Sequence, residues 1–149
     1  MRKQFVFTLL SIILLLGCQS DTPITYKLSV NGKYIKAELA DNEPARARGL
    51  QYRTSLAPDH GMLFAYPEEK ILHFWMKDTS IPLSIAFIKS DGVILEIHNM
   101  EPFSLESISS AGQAQYALET ARGWFKENQV KAGAKVLFPS ALEDYLRKR

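Results

Sequence analysis

Hydrophobic and polar residues alternate over short segments along most of the chain, and turn-forming residues separate these segments. A period of two residues is typical of β-strands, because successive side chains point to opposite faces. The clearest case is Thr25 to Val30, which Asn31-Gly32 connects to a second strand from Lys33 to Leu39 through a tight hairpin. The pattern predicts a mainly β (α+β) fold, a single compact sandwich-like or barrel-like domain over residues 26–149 with two or three short helices.

The densest aromatic and aliphatic stretch of the predicted domain runs from His73 to Met100. It predicts three consecutive strands in a meander: Leu72 to Lys77, Leu83 to Lys89 and Val93 to Met100. Three further strands are predicted elsewhere: Met62 to Tyr66, Ala114 to Glu119 and Lys135 to Phe138. We expect Pro67 to stop the first of these, since proline cannot donate to a strand ladder. The serine-rich residues 101–113 are predicted to form a loop.

Three short segments carry helix signals. Asn42 can cap a helix that we predict from Glu43 to Tyr52. For Gly49 there are two alternatives: it ends the helix, or it permits close packing. A weaker helix is predicted from Arg122 to Asn128. Pro139 is expected to open a third helix near the C-terminus.

The first eighteen residues have the pattern of an export signal. Two basic residues near the start precede a largely apolar run that ends at Gly17-Cys18. Leu15-Leu16-Gly17-Cys18 resembles the lipobox of bacterial lipoproteins. This resemblance implies a signal peptide over residues 1–17, lipidation of Cys18 and a tether over residues 18–25. The alternative is an ordinary signal peptide with an incidental cysteine.

These features predict an exported protein that is lipid-anchored in the bacterial envelope. Several acyl chains on Cys18 would attach it stably to a membrane, where a single chain is marginal. Lipoproteins kept at the inner membrane commonly have Asp after the lipidated cysteine, whereas this chain has Gln19. The expected location is therefore the outer membrane, facing the periplasm.

Charge and cysteine content limit the classes of function. The chain has 18 basic and 16 acidic residues, and two of the basic ones, Arg2 and Lys3, lie in the predicted signal peptide. The remainder is balanced, which argues against a nucleic-acid partner. Cys18 is the one cysteine, so no intramolecular disulfide can form, and its lipidation would leave no thiol for catalysis.

The first candidate site is Trp75-Met76-Lys77-Asp78. Alternation on a strand separates two sets of side chains: His73, Trp75 and Lys77 on one face, Leu72, Phe74 and Met76 on the other. Trp75 could stack on a ligand while Lys77 binds an anion or hydroxyl group, with Asp78 beside them. The alternative is a core tryptophan followed by an exposed lysine and a local turn.

A second candidate set consists of Arg46, Arg48 and Arg53. Arginine binds carboxylates and phosphates through two parallel hydrogen bonds, so one of the three could orient an acidic ligand. The alternative is that they form ion pairs with Glu43, Glu119 or another acid, or hydrogen bond with loop carbonyls.

Metal and catalytic signals are weak. Soft ligands for Cu(I) could come from five residues: Met62, His73, Met76, His98 and Met100. They form no dense motif, and methionine is common in cores, so neither a metal nor another cofactor is expected. The sequence has no nucleophile elbow, zinc-protease helix or phosphate-binding loop motif. A carboxylate pair drawn from Asp78, Glu96 and Glu119 remains open, with Asp78 and Glu119 as the pair that a hydrolase would use.

Several motifs together resemble the Domain of Unknown Function 192 family over about Val30 to Phe138. They are Glu43-Pro44-Ala45-Arg46-Ala47-Arg48-Gly49-Leu50, Arg53, Gly61-Met62-Leu63-Phe64, Phe74-Trp75-Met76-Lys77-Asp78-Thr79, Ile81-Pro82-Leu83 and Ala117-Leu118-Glu119. The resemblance implies a small, mainly β domain that is often exported, and it implies no established activity. The chain has Asp78 where the family usually has Asn, and Ser84 where it usually has Asp.

The sequence leads to one hypothesis and two alternatives. The hypothesis is a non-enzymatic envelope lipoprotein that binds a small polar ligand, a glycan or a peptide at six residues: Arg46, Arg48, Arg53, Trp75, Lys77 and Asp78. One alternative is a hydrolase or transferase that acts on envelope polysaccharide through a carboxylate pair. The other is a structural accessory protein of an envelope complex.

Overall fold

The computed structural model describes residues 23–148. The predicted signal peptide at residues 1–17, the lipidation site Cys18 and the tether as far as residue 22 lie outside the described residues. Within residues 23–148, no helix combines the length and the apolar character that crossing a membrane requires.

The described residues form nine strands and three helices, so the predicted mainly β fold is confirmed. The strands are β1 (Thr25–Val30), β2 (Lys33–Ala40), β3 (His60–Lys70), β4 (His73–Phe74), β5 (Leu83–Ile88), β6 (Ile94–Met100), β7 (Ile108–Ser109), β8 (Ala114–Ala121) and β9 (Val136–Leu137). The helices are α1 (Glu43–Arg48), α2 (Trp124–Glu127) and α3 (Ser140–Arg147).

Seven of these strands form one curled sheet, an open half-barrel, in the order β6-β5-β8-β3-β2-β1-β9. The β2–β3 pair is parallel and the other pairs are antiparallel. Strand β8 lies in the interior of the sheet, between β3 and β5. Strands β4 and β7 pair separately as a two-stranded sheet.

Apolar side chains are buried on both faces of the seven-stranded sheet. On one face, side chains of the strands pack against Trp124 of α2 and Leu142 of α3. These strand residues include Leu28, Ile35, Leu63 and Leu118. On the other face, side chains of the sheet pack against Leu72, Phe74 and Met76 of the segment that carries β4. These sheet residues include Phe64, Leu83, Phe87 and Met100. A strand covered on both sides needs apolar residues at successive positions, and β5 is buried over its whole length.

The predicted stop at Pro67 is wrong, because β3 continues to Lys70. The pairing of β3 with β8 is irregular between Ala65 and Lys70. Proline is tolerated in such an irregular stretch, where a ladder hydrogen bond from its nitrogen is not required.

The predicted strand from Leu72 to Lys77 is also too long, since only His73–Phe74 belongs to β4. Beyond it, the Met76 N–H donates to the Ser104 carbonyl oxygen at 2.9 Å, outside any ladder. Strand β4 pairs with β7, which lies in the segment predicted to be a loop. Residues His73 to Met100 therefore do not form a simple three-stranded meander.

Helix α1 ends at Arg48, four residues before the predicted end at Tyr52. The Asn42 side chain accepts a hydrogen bond from the Ala45 N–H at 2.9 Å, as a capping residue does. Gly49 ends the helix with a φ of 48°, and its N–H donates to the Ala45 carbonyl. The other predicted helices and strands differ from the observed ones by at most two residues at either end.

Candidate functional site

A cleft of about 480 Å³ opens between α1 and the segment that carries β4. One wall comes from α1 and the turn after it, the other from residues 73–76, and the floor from β3, β5 and β8. The lining includes Arg46, Arg48, Lys70, Trp75, Phe64, Leu83 and Glu119. The sequence-predicted residues Arg46, Arg48 and Trp75 therefore meet at one cleft, whereas Lys77, Asp78 and Arg53 do not line it.

Trp75 stands at the mouth of the cleft with 53% of its surface exposed. Phe74 and Met76 on either side of it are buried, and the Met76 backbone is held by its hydrogen bond to Ser104. The Lys77 ammonium nitrogen lies 5.6 Å from the centroid of the Trp75 ring. The predicted alternation is confirmed, and the alternative of a core tryptophan is wrong.

Cationic side chains surround the other side of the mouth. Arg46 donates to the Ala65 carbonyl oxygen at 2.9 Å, and its guanidinium carbon lies 4.7 Å from the centroid of the Tyr66 ring. The Lys70 ammonium nitrogen is also 4.7 Å from that centroid. The Arg48 carbonyl oxygen accepts a hydrogen bond from the Gln51 N–H, but its guanidinium group has no hydrogen-bond or ion-pair partner among residues 23–148. We call Arg46, Arg48 and Lys70 the cationic rim.

Arg53 forms an ion pair outside the cleft. Its two terminal nitrogens donate to the two Glu38 carboxylate oxygens at 2.5 and 2.6 Å. These hydrogen bonds raise the pKa of Arg53. The alternative of pairing with an acid thus applies to Arg53, and the partner is neither Glu43 nor Glu119.

Asp78 also has a local partner. The Tyr52 hydroxyl donates to Asp78 Oδ2 at 3.0 Å, and this hydrogen bond raises the pKa of Tyr52. The Asp78 carbonyl accepts from the Tyr52 N–H at 2.8 Å. Both residues have positive φ, 54° for Asp78 and 63° for Tyr52. Asp78 therefore connects the segment after β4 to the turn after α1.

Glu119 lies at the base of the cleft. On β8 it is directly opposite Met62 of β3 and Ile85 of β5, so it shares the sheet face of Phe64 and Leu83. Only 4% of its surface is exposed. Its carboxyl group has no hydrogen-bond or ion-pair partner in the part of the chain that the structure describes. Burial raises the pKa of Glu119 to about 8, so the carboxyl is largely protonated at neutral pH.

The carboxylate pair left open by the sequence is not assembled in the cleft. Glu119 lines the cleft and Asp78 does not. Glu43, in the first turn of α1, is the other acid along the lining.

The residues considered for Cu(I) have other surroundings. The three methionines are buried in one hydrophobic cluster: Met62, Met76 and Met100. The His73 ring nitrogen Nδ1 is 2.7 Å from the Ser109 hydroxyl, and His98 lies 2.9 Å from Glu96. Within residues 23–148, no three side chains of His, Cys, Asp or Glu gather as a metal site would require.

The sequence pattern does not single out Tyr66 or Lys70 as part of the site. Both lie in or beside the irregular part of β3, where alternation no longer predicts which way a side chain points. Two cations near one tyrosine ring become visible only when the chain is folded.

Comparisons with known proteins identify relatives of this fold. Residues 26–138 match the family model DUF192, described as "Uncharacterized ACR". A crystal structure of a candidate transcription regulator from Sinorhizobium meliloti is 36% identical, with a TM-score of 0.75 over 78% of this chain and 95% of that chain. A protein of unknown function from Novosphingobium aromaticivorans is 30% identical, with a TM-score of 0.73 over 76% of this chain and 85% of that chain. Among curated proteins, none matches.

Proposed function

This chain belongs to the DUF192 family, which is described only as uncharacterised, so we infer its function from its own residues. We propose that it is a non-enzymatic envelope lipoprotein whose β domain binds a small polar ligand, a glycan or a peptide. The observation that carries the proposal is the exposed Trp75 at the mouth of a cleft with a cationic rim and an unpartnered Glu119 at its base.

The chemistry of the cleft supports binding. An exposed indole offers a flat apolar surface for a ring or a peptide side chain, at little entropic cost because it has few rotatable bonds. Phe64 and Leu83 provide an apolar floor, and Arg48 is available to an anionic group. A concave, mainly apolar site with a few polar groups is the usual form of a ligand site.

A hydrolase has one observation in its favour. Glu119 holds a proton near neutral pH and could serve as a general acid. Asp78, its proposed partner, hydrogen bonds with Tyr52 and does not line the cleft. Binding without chemistry is therefore the function we prefer.

The proposed anchor would keep the cleft near a membrane. Seven residues, Gln19 to Thr25, separate Cys18 from the start of the domain. Fully extended, they span at most ~25 Å. A ligand of this domain would then be a component of the envelope close to the lipid surface.

We expect Cys18→Ala to abolish incorporation of a clickable fatty acid into the full-length protein expressed in a bacterial host. The thiol is the nucleophile for lipid attachment, and alanine cannot replace it. The measurement is in-gel fluorescence of the purified protein, with Ser20→Ala as the control that should keep the label. No label in the wild type, or label that survives Cys18→Ala, contradicts the lipoprotein proposal.

We expect the double variant Trp75→Ala, Lys77→Ala to lose retention of its envelope component. The test passes a soluble fraction of envelope oligosaccharides and peptides over the immobilised protein and identifies what is retained by mass spectrometry. Both side chains are exposed, so the melting temperature should change by no more than a few degrees.

The matched control removes a second exposed aromatic and lysine pair. The Lys27 ammonium nitrogen lies 3.9 Å from the centroid of the Tyr34 ring, which does not line the cleft. Lys27→Ala, Tyr34→Ala should retain the same component as the wild type. Equal retention by both double variants would show that the cleft mouth is not the binding site, and unfolding of the Trp75 variant would show a structural role.

A further inference from the structure

One buried acidic group of the cleft lacks a partner. Glu119 is 4% exposed, and no described residue hydrogen bonds or pairs with its carboxyl group. A buried carboxyl without a partner is costly, and more so when it is ionised. A ligand that brings a hydrogen-bond donor or a cation to this position would remove that cost.

The mouth of the same cleft has the opposite character. Arg46 and Lys70 lie beside the Tyr66 ring, and Arg48 stands unpaired nearby on α1. Three cations face one acid, Glu43, along this part of the lining. An anionic group of a ligand is therefore favoured at the rim and disfavoured at the base.

The two ends lie at different positions along β3. Glu119 is opposite Met62 in the ladder, whereas Arg46 hydrogen bonds with the Ala65 carbonyl oxygen, three residues further along the strand. Strand residues rise ~3.3 Å each, so the two positions are roughly 10 Å apart along the strand. A ligand that reaches both ends must therefore be longer than one amino acid.

We propose that the cleft binds the two charged ends of a short peptide, with the free amino group at Glu119 and the carboxylate at the cationic rim. The apolar body of the peptide would lie along Phe64 and Leu83, and a ring near its carboxyl end would stack on Trp75. This inference rests on the proposed binding function and names its ligand class.

The test uses three probes with the same body and different ends. They are the dipeptide alanyl-phenylalanine, its N-acetyl derivative and its C-terminal amide, titrated into the full-length protein by calorimetry at neutral pH. The unmodified dipeptide should bind about tenfold or more tightly than either derivative, since each derivative loses one charged hydrogen bond.

Two variants test which end of the peptide binds at Glu119 and which binds at the cationic rim. In Glu119→Gln, the dipeptide and its N-acetyl derivative should bind with similar affinity. A bound ammonium group favours the ionised form of Glu119 and pairs with it, whereas glutamine cannot ionise. In Arg48→Ala, the dipeptide and its amide should become similar. The comparison of probes on the wild type keeps the proposal falsifiable if Glu119→Gln does not fold.

Each other outcome overturns a definite part of the proposal. Equal binding of the acetylated probe removes the amine from Glu119, and equal binding of the amide removes the carboxylate from the rim. No binding of any probe at millimolar concentration overturns the peptide assignment. Trp75-dependent retention of a different envelope component would then leave the binding function standing.

Discussion

Replacing Phe87 with alanine is expected to lower the free energy of unfolding by about 3–5 kcal/mol. Phe87 lies in β5 with none of its surface exposed. Its ring packs edge-on against Phe74 at 5.8 Å and against His98 at 6.1 Å, measured between ring centroids. Because Phe74 precedes Trp75, loss of this ring should loosen the cleft wall as well as the core.

The measurement is equilibrium unfolding in urea, with the change read from the transition midpoint at constant slope. Phe103→Ala is the matched control, because Phe103 is 63% exposed and the same atoms are removed. Surface substitutions of this kind usually change stability by about 0.5 kcal/mol or less. If the two variants lose similar stability, Phe87 does not belong to the core.

The free energy of unfolding is expected to fall as pH rises from about 4.5 to about 8, and Glu119 is the cause. Its ordinary pKa is 4.5 and burial raises the folded-state value to about 8, so the folded protein holds the proton more tightly than the unfolded chain does. The stabilising contribution is complete below 4.5 and is lost as pH approaches 8. Within this window the slope is about 1.4 kcal/mol per pH unit.

Glu119→Gln should remove this pH dependence and make the protein more stable than the wild type above pH 8, because glutamine does not ionise. Urea unfolding at several pH values between 4.5 and 9 measures the effect. Glu43→Gln, which removes an exposed acid from the same cleft, should leave the slope unchanged. Five other charged or titratable side chains line the cleft and are present in both variants: Arg46, Arg48, Tyr66, Lys70 and His73. An unchanged slope in Glu119→Gln would contradict the burial of an ionisable carboxyl.

Local patterns predicted the parts of the fold that local forces decide. Asn31-Gly32 connects β1 and β2 in the predicted register, and both residues have positive φ, as a tight hairpin needs. Burial alternates between Leu72 and Lys77 as predicted, although only two residues there belong to a strand. Alternation survives because extended backbone alternates its side chains whether or not it has a ladder partner.

Pairing between distant segments could not be predicted in the same way. The parallel register of β2 with β3, and the pairing of β4 with β7, depend on contacts between residues far apart in sequence. Strand β7 has only two residues and lies among polar residues, a composition that predicts a loop.

The sequence predicts only part of the site. The side-chain chemistry of Arg46, Arg48 and Trp75 predicts ligand-binding residues, and all three line the cleft. Arg53 has the same chemistry but forms an ion pair with Glu38. Glu119 was one candidate among several acids, since the sequence shows neither its burial nor the lack of a partner. Both properties arise from its place on β8, an interior strand whose neighbours only the assembled sheet defines.

The position of β8 in the chain has a consequence for how the protein is made. β8 separates β3 from β5 in the sheet, yet it follows both of them in sequence. While a nascent chain emerges from its N-terminus, β3 can already pair with β2 and β5 with β6, but each keeps one open edge until residue 121 is synthesised. Unpaired apolar edges of this kind promote aggregation, so the interval before β8 is synthesised is the stage at which a chaperone would be most useful.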